Sequence, residues 1–384
     1  MPRKKVAVIG YGIASYGALS PEVSYKEMMY EACSRAYQMA GVNPRKDVDS
    51  FVTCSEDYDE GTSIFDEYVP DQMGAMLRPT HTIAGDGLQG VAAGVMQILT
   101  KRFDVVVIEA HSKASNVTDH AGLLHFAEDP AFTRPILAHP YFLAGLEMRC
   151  FLTLSGNMEI DAAKVVVKNK NNALKNPLGV HSANIALEDV LASEPSFEPL
   201  KKLDEARLSD IGLCVVLASE DVANKFVSNP VWITGIGWCS DSFQPERREL
   251  CWPAYAKLSA DMAYQQAGIK NPARAFQVAE IDDTFSYKEL QHIETIGLAR
   301  VGESGEKLEE GAFGIDGEIA VNASGGSLGC GRMLDATGLF RLIEVVKQLR
   351  GEAGAYQVKN ARAGVALSWR GIPTATGAVC VLEV

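Results

Sequence analysis

The chain has 384 residues, of which 47% are hydrophobic and 8% aromatic, and this composition is that of a globular rather than a disordered protein. A net charge of −13 argues against a nucleic-acid partner and against binding to anionic membrane surfaces. The eight cysteines stand singly, without metal-ligand or disulfide spacing, and no apolar run of about 20 residues occurs. We therefore expect a cytoplasmic protein with reduced thiols, no metal site and no membrane partner.

Strands and helices alternate along the first half of the chain. Residues 5–9 form a short apolar run that predicts a buried strand, and residues 25–40 predict a helix that ends at a glycine. A second strand is expected over 48–54. Residues 85–98 predict another helix, and a strand is expected directly after it at 104–109.

The second half repeats this order. Strands are predicted at 231–233 and 276–281 on either side of a helix at 255–267, and a second helix, ending near residue 349, precedes a strand at 363–367. Residues 40–52 and 267–281 match in kind, because each has a helix end, a glycine stop, an Asn-Pro turn and a strand. This repetition predicts a duplicated α/β fold with halves at 1–225 and 226–384. Residues 113–210 have no counterpart and suit a lid or an oligomer-contact insertion.

A glycine-dense turn follows the apolar residues Ala320 and Val321. It contains Asn322, Gly325 and Gly326 and leads into the last long helix. Glycine is favoured where the backbone takes a positive φ or where another group comes very close. The exposed N–H groups of a helix start also attract negative charge. The turn is therefore a candidate site.

These residues carry a resemblance to the thiolase superfamily, most closely to its sterol-carrier-type branch. NASGGSLGCGRMLDATG, from Asn322, resembles that family's N-x-S-G-G…G-H-P-x-G-A-T-G loop. AEIDDTFSYKEL, from Ala279, is similar to its E-x-H-D-x-F-S segment, and THTIAGDGLQGVAAG, from Thr80, is similar to its nucleophile turn. Two further segments, at 168–177 and 208–220, also resemble family segments.

The resemblance implies a duplicated thiolase fold, with two mixed five-stranded sheets and central helices in αβαβα layers. The central helices should begin near Gly87 and Gly338. It also implies a homodimer that pairs through strands near residues 105–109. The substrate would be an acyl-CoA, with coenzyme A as substrate or product and no covalently bound cofactor.

The chain departs from the family at the catalytic positions. Ala84 stands where the resemblance implies the nucleophilic cysteine, and Asp282 and Arg332 stand where it implies two histidines, while Asn322 is retained. Alanine cannot form an acyl-enzyme, and arginine is a poor base. We expect all four residues at one cavity, with Asp282 as the base. Arg332 would lie near the thioester oxygen or near an acidic group of the acyl chain.

Four further residues are expected near the substrate: Gly325, Gly326, Cys330 and His81. Cys330 lies in the glycine turn, where a small buried filler is the more ordinary role. His81 precedes the nucleophile turn by three residues. Asp86, in the same turn, is a favoured residue type for capping the helix that follows.

Three functions remain open. The first is thiolytic cleavage of a 3-ketoacyl-CoA, with Ala84 either natural or a replacement for cysteine. The second is a retro-aldol cut of a 3-hydroxyacyl-CoA, because the ending GIPTATGAVCVLEV is similar to the G-x-P-T-S-G ending of thiolase-like retro-aldolases. Those relatives lack the cysteine and work with a small zinc-containing OB-fold partner. The third is a non-catalytic scaffold subunit, which the retained Asn322 and the glycine turn argue against.

Overall fold

The computed structural model describes residues 6–15, 17–61 and 64–384, so Lys5 of the predicted first strand lies outside the described residues. Within them the strands are β1 (Val6–Ala14), β2 (Ser50–Cys54), β3 (Thr80–Ile83), β4 (Val105–Ser112), β5 (Pro195–Phe197), β6 (Leu200–Lys201), β7 (Ile211–Ser219), β8 (Val231–Ser240), β9 (Val278–Glu280), β10 (Ala320–Val321), β11 (Ala363–Arg370) and β12 (Thr376–Glu383).

The α-helices of the same residues are α1 (Tyr25–Ala40), α2 (Pro44–Asp47), α3 (Asp57–Glu60), α4 (Pro70–Met73), α5 (Gly87–Leu99), α6 (His120–Leu124), α7 (Phe142–Ser155), α8 (Glu159–Ala173), α9 (Leu187–Leu191), α10 (Glu220–Phe226), α11 (Ala254–Ala267), α12 (Pro272–Ala275), α13 (Ser286–Thr295), α14 (Ser304–Glu309), α15 (Gly326–Cys330) and α16 (Thr337–Arg350). Short 3-10 helices are found at Phe65–Glu67, Ala114–Asn116, His125–Ala127, Arg134–Ile136, Lys202–Asp204, Pro245–Arg247, Leu334–Ala336 and Gly354–Tyr356.

The described strands form one continuous ten-stranded mixed sheet made of two five-stranded sheets, one from each half, and this arrangement confirms the predicted duplicated fold. The first has the strand order β3-β2-β4-β7-β1 and the second the corresponding order β10-β9-β11-β12-β8. In the first sheet β2 is parallel to β3 and β4, and β4 is antiparallel to β7. In the second, β9 is parallel to β10 and β11, and β11 is antiparallel to β12. The sheets join edge to edge through β1 and β8, where Val6 pairs with Ile233.

The central helices α5 and α16 begin at Gly87 and Thr337, as the resemblance implies, and they pack on each other. The helix α16 is buried on all sides up to Leu349, which is typical of a helix in the middle of a core. Glycines permit this close packing. A Cβ on Gly87 would lie 2.6 Å from the Cβ of Leu339, and one on Gly338 would overlap the Asp86 carboxylate.

One prediction about assembly is wrong. Residues 105–109 belong to β4, and β4 pairs with β2 on one side and with β7 on the other. Its backbone N–H and C=O groups are therefore already used, and this strand cannot pair with a second chain. The outer strand of the first sheet is β3, at Thr80–Ile83. That the protein forms a dimer stays a prediction.

The segment 113–210 carries the helices α6 to α9 and the two-stranded sheet of β5 and β6. Its longest helix, α8, packs against α13, α14 and α15 of the second half. Its role as a lid or as an oligomer contact stays a prediction, as does the division of the halves at residue 225. Across the described residues, we find no helix with the length and apolar character needed to cross a membrane.

Candidate active site

Asp86 connects the starts of the two central helices. Its Oδ1 accepts a hydrogen bond from the Leu88 N–H at 2.9 Å, which confirms the expected cap of α5. Its Oδ2 accepts the Gly338 N–H, at the start of α16, at 2.8 Å. Burial raises the pKa of this carboxyl, although the hydrogen bonds from Leu88, Ser368 and Gly338 oppose that effect. One carboxylate thus occupies both helix N-termini.

A cavity opens beside Asp86, and both halves contribute to it. Its walls include Tyr58, Asp59, His120, Arg332 and Arg370, together with parts of the segments 284, 334–337 and 371–374. No cysteine of the described residues lines this cavity. The side chains available for chemistry are therefore carboxyls, a phenol, an imidazole, two guanidinium groups and threonine hydroxyls.

Arg370 fixes the segment that carries Tyr58 and Asp59. Its guanidinium pairs with Glu56, and its Nη2 donates to the Tyr58 hydroxyl at 3.1 Å. Its Nε lies 3.4 Å from Oδ1 of Asp335, whose Oδ2 accepts the Glu56 N–H at 2.7 Å. Burial raises the pKa of Asp335 to about 7, although Arg370 opposes this. The end of β11 thereby holds residues 56–59 against the cavity.

Asp59 is the carboxylate in this wall with an unused oxygen. Its Oδ1 is buried and has no hydrogen-bond partner among the described residues. Burial raises the pKa of Asp59 to about 6, while the positive charges of Arg332 and Arg370 hold it down. A carboxyl group that titrates near neutral pH inside a cavity can accept a proton from a bound molecule.

Arg332 lines the same cavity. Its Nη1 donates to the Tyr141 hydroxyl at 3.2 Å and its Nη2 to the Gly371 carbonyl at 3.1 Å. A guanidinium has five N–H donors, so several remain for a bound molecule. Burial, assisted by the charge of Arg332, lowers the pKa of His120 to about 3, which keeps that imidazole neutral. Arg332 can therefore stabilise a negative oxygen beside a neutral hydrogen-bonding ring.

Asp282 and Asn322 have other partners and do not line the cavity. Asp282 is fully buried, with Oδ2 3.2 Å from Nη2 of Arg341 and Oδ1 accepting the Thr284 N–H at 2.9 Å. Asn322 accepts the Ile281 N–H at 2.9 Å and donates from Nδ2 to Glu289 at 2.7 Å. Of the four residues predicted to meet at the cavity, Arg332 alone has its side chain in the wall, and Ala84 is exposed in the turn before Asp86.

The glycine turn is packed inside the protein and does not line the cavity either. Gly325 and Gly326 have φ values of +102° and +57°, and added Cβ atoms there would overlap Ala173 and Asp283, respectively. Asp283 accepts the N–H groups of Ser327 at 2.6 Å and Leu328 at 3.1 Å, so it caps α15. These positive φ angles and close contacts explain the glycines as packing requirements.

The two remaining candidates are also placed away from the cavity wall. Cys330 is fully buried, its Sγ lies 3.3 Å from the Ser324 carbonyl oxygen, and burial raises the pKa of the thiol. A thiol with a raised pKa is a weak nucleophile. His81, on β3, lies with Nε2 3.1 Å from Nε2 of Gln97 on α5, and burial lowers its pKa.

Sequence reasoning missed Tyr58, Asp59, His120 and Arg370. Asp59 belongs to the acidic run SEDYDEG, which matches no motif and resembles an exposed loop. The one usable signal was Arg370, because it directly precedes the G-x-P-T ending that resembles the ending of the thiolase-like retro-aldolases.

Known proteins are similar to this chain over most of its length. The family described as "Thiolase C-terminal domain-like" matches residues 240–383. The acetyl-CoA acetyltransferase of Methanothermobacter thermautotrophicus is 29% identical over 372 residues, or 94% of this chain and 95% of that protein. Sterol carrier protein 2 of Oryctolagus cuniculus is 32% identical over 207 residues, which span 52% of this chain but 37% of that longer protein. The solved structure of an "Ltp2-ChsH2(DUF35) aldolase" has a TM-score of 0.85 at 25% identity, covering 99% of this chain and 98% of that one.

Two corresponding five-stranded halves, with a cavity where their central helices begin, define a thiolase-fold protein. The chain has the thiolase fold, its C-terminal part matches the thiolase family model, and it is similar to thiolase-superfamily proteins that include sterol carrier protein 2. These likenesses support a thiolase-fold enzyme of coenzyme A thioesters.

Proposed function

We propose that the protein cleaves the C–C bond of a 3-hydroxyacyl-CoA by a retro-aldol reaction, without an acyl-enzyme. The observation that carries this proposal is the composition of the cavity wall. It contains a carboxylate with an unused oxygen, Asp59, beside Arg332 and no thiol from the described residues. A retro-aldol cut requires a base and an oxyanion-stabilising group, whereas thiolysis requires a nucleophile.

In this reaction Asp59 takes the proton of the 3-hydroxyl group. The bond between the second and third carbons breaks, a carbonyl forms on the departing aldehyde or ketone, and the electron pair moves into the thioester as an enolate. Free N–H donors of Arg332 stabilise the enolate oxygen, and His120 is placed in the same wall. The enolate carbon then takes the proton that Asp59 removed, which yields a shortened acyl-CoA and returns Asp59 to its ionised form. Coenzyme A leaves as part of this product and is not a co-reactant.

Thiolytic cleavage of a 3-ketoacyl-CoA is the second candidate, because the relative that matches 94% of the chain is named an acetyltransferase. Its difficulty lies at position 84, where an exposed methyl group stands in place of a thiol. Cys330 does not replace that thiol, because it is buried with a raised pKa. A scaffold role is less favoured still, because a scaffold has no need of a partly buried carboxyl whose pKa is raised to about 6.

The assembly and the acyl chain belong to the same proposal. The name of the similar aldolase includes a second component, ChsH2(DUF35). We therefore propose that this chain forms a homodimer and that the homodimer binds a partner of that kind, a small zinc-containing OB-fold protein. Arg332 contacts two neutral oxygens, so its positive charge remains available for an acidic acyl group as well as for the thioester oxygen.

The test compares Asp59→Asn with the parent protein, with and without the partner, on 3-hydroxyacyl-CoA in the absence of free coenzyme A. Loss of the base should lower kcat about 10²- to 10⁴-fold. In the parent, kcat/KM should rise with pH around 6, because Asp59 must be ionised, and the Asn variant should lack this rise. The control is Asp57→Asn, an exposed carboxylate on the same short helix, which should leave turnover unchanged.

Two outcomes would contradict the proposal. Full activity in Asp59→Asn would remove Asp59 as the base. The second outcome is a strong gain of coenzyme A-dependent cleavage of 3-ketoacyl-CoA in an Ala84→Cys variant, which would favour thiolysis. Mass analysis of the products would detect it.

A further inference from the structure

The short helix α3, which carries Asp59, is bound on its other side by a buried group of three charged residues. Oε1 of Glu60 lies 2.8 Å from Nε2 of His111, and Nδ1 of His111 lies 3.0 Å from Oε1 of Glu109. The side chains of His111 and Glu109 are 0% exposed and that of Glu60 is 7% exposed. His111 is thus the link between the first sheet and the residue next to Asp59.

The fold explains why this imidazole cannot turn away. Glu109 and His111 are two residues apart on β4, so their side chains leave the strand on the same face. Thr53, opposite Glu109 on β2, donates its hydroxyl to Oε2 of Glu109 at 2.6 Å. The ring of His111 packs against Tyr25 and Phe65, with centroid distances of 5.5 and 5.3 Å, and these two rings also contact each other at 5.6 Å.

Two carboxylates on one imidazole require both ring nitrogens to carry a proton. A neutral imidazole has one N–H donor and would turn a lone pair towards the other carboxylate. Burial by itself would lower the pKa of His111, but Glu60 and Glu109 outweigh it and raise the pKa well above its usual value. Among the described residues, Tyr25 also packs its ring on His111, and because burial and Glu60 raise the pKa of its hydroxyl, this group stays neutral.

We propose that His111, as an imidazolium, is a positioning residue that holds Glu60 and thereby keeps Asp59 in the cavity wall. This inference rests on the role of Asp59 in the proposed function. The helix α3 has four residues and three backbone hydrogen bonds: the Asp59 and Glu60 N–H groups bond to the Glu56 carbonyl at 3.0 and 3.2 Å, and the Gly61 N–H bonds to the Asp57 carbonyl at 2.9 Å. Such a segment depends on side-chain anchors, which are Arg370 on one side and His111 on the other.

A pH dependence follows from this arrangement. When the imidazolium loses its proton at alkaline pH, Glu60 loses its partner and α3 is released from one anchor. Turnover should therefore fall on the alkaline side of the pH profile. Glu60→Gln keeps the size of the side chain but removes one of the two carboxylates, so the alkaline limb should move about one pH unit towards acid. A residue with a merely structural role would lower activity without moving this limb.

The experiment has two readouts that do not use activity. Hydrogen exchange by mass spectrometry follows the amides of residues 59–61, which are hydrogen-bonded within α3 and its preceding turn. In the full chain, His111→Gln should speed their exchange at least 10-fold. The control is His125→Gln, because His125 pairs with Glu128 at 2.9 Å on a more exposed part of the surface. NMR titration of the parent and of Glu60→Gln should show the His111 signal titrating well above 6.5 and moving to lower pH in the variant.

Kinetics completes the test. His111→Gln should lower kcat about 10-fold or more with little change in KM, because the base is displaced while the substrate contacts remain. If His111→Gln does not fold, the shift of the alkaline limb in Glu60→Gln decides the question. Unchanged exchange of residues 59–61 in His111→Gln, or a His111 signal titrating near 6.5 in the parent, would overturn the inference. Full turnover in His111→Gln while Asp59→Asn is inactive would also overturn it. Activity in Asp59→Asn would instead remove the proposed function, and the exchange and NMR results would still stand.

Discussion

The double contact of Asp86 makes it the sharpest test of how the central helices are held. Asp86→Ala removes the acceptor of the Leu88 N–H at 2.9 Å and that of the Gly338 N–H at 2.8 Å. Asp86 is 4% exposed, so water does not readily replace either acceptor. Two buried backbone donors at two helix starts would lose their partner together.

The expected cost follows from these contacts. A buried donor left without a partner costs about 1–3 kcal/mol, so two of them cost about 4 kcal/mol. Part of this cost is offset, because the Ala variant no longer has to bury a carboxylate. The raised pKa of Asp86 shows that burial disfavours its charged form. We therefore expect Asp86→Ala to lower the free energy of unfolding by about 3 kcal/mol, against about 1 kcal/mol for an ordinary cap.

Urea unfolding followed by circular dichroism measures this difference. Asp119→Ala is the matched control, because Asp119 caps α6 and its carboxylate accepts one N–H group, that of Gly122, at 2.9 Å near the surface. Asp86→Asn should fall between the two, since an amide keeps one acceptor but turns N–H donors towards the other position. If Asp86→Ala cost no more than Asp119→Ala, the joining of the two helix starts through Asp86 would be refuted.

Two further predictions concern buried charges. Burial raises the pKa of Glu280 to about 8, so in the range between about 4.5 and 8 the folded protein holds a proton that the unfolded chain has lost, and stability falls as pH rises. Glu280→Gln removes this dependence. Between pH 5 and pH 8, urea unfolding should therefore show the parent losing a few kcal/mol more of its free energy of unfolding than the variant loses. A difference between parent and variant that is the same at both pH values would contradict the explanation. Arg341→Met leaves Asp282 and Asp283 buried without their cation and should cost about 3–5 kcal/mol, whereas a loss below about 1 kcal/mol would show that these carboxyls have another partner.

The fold was predictable because local patterns determine most of it. The helix α1 covers 25–40, as the capped apolar pattern predicts, and the Ser24 hydroxyl and the Glu27 carboxylate form its capping box. The repeated order of helix end, glycine, Asn-Pro turn and strand places β2 and β9 at equivalent positions in the two sheets. The predicted strand at 48–54 begins two residues late, at Ser50, because strand ends depend on pairing partners rather than on the residues alone.

The contents of the site could not be read in this way, because they depend on partners far apart in the chain. Asp282 was expected to be a base because of its place in a motif, but Arg341, 59 residues later, takes its carboxylate. Arg341 lies on the fully buried face of α16, where the sequence pattern indicates an apolar core. Asp59 is the opposite case, a cavity residue that the sequence did not indicate, because it comes from an acidic run typical of a surface. Tyr58 beside it is bound by Arg370, which follows 312 residues later.

The position of Asp86 also bears on the choice between the two reactions. A thiolase-type cysteine at position 84 would need the positive end of α5 to stabilise its thiolate. That end already holds the Asp86 carboxylate, which also occupies the start of α16. A thiol placed two residues away would meet a negative charge, which raises its pKa and weakens it as a nucleophile. The same carboxylate occupies the starts of both central helices, so in the proposed retro-aldol reaction we expect a side chain to stabilise the enolate oxygen. Arg332 lines the cavity and has unused donors for that role, so the wall favours a reaction that begins with proton removal rather than with attack by sulfur.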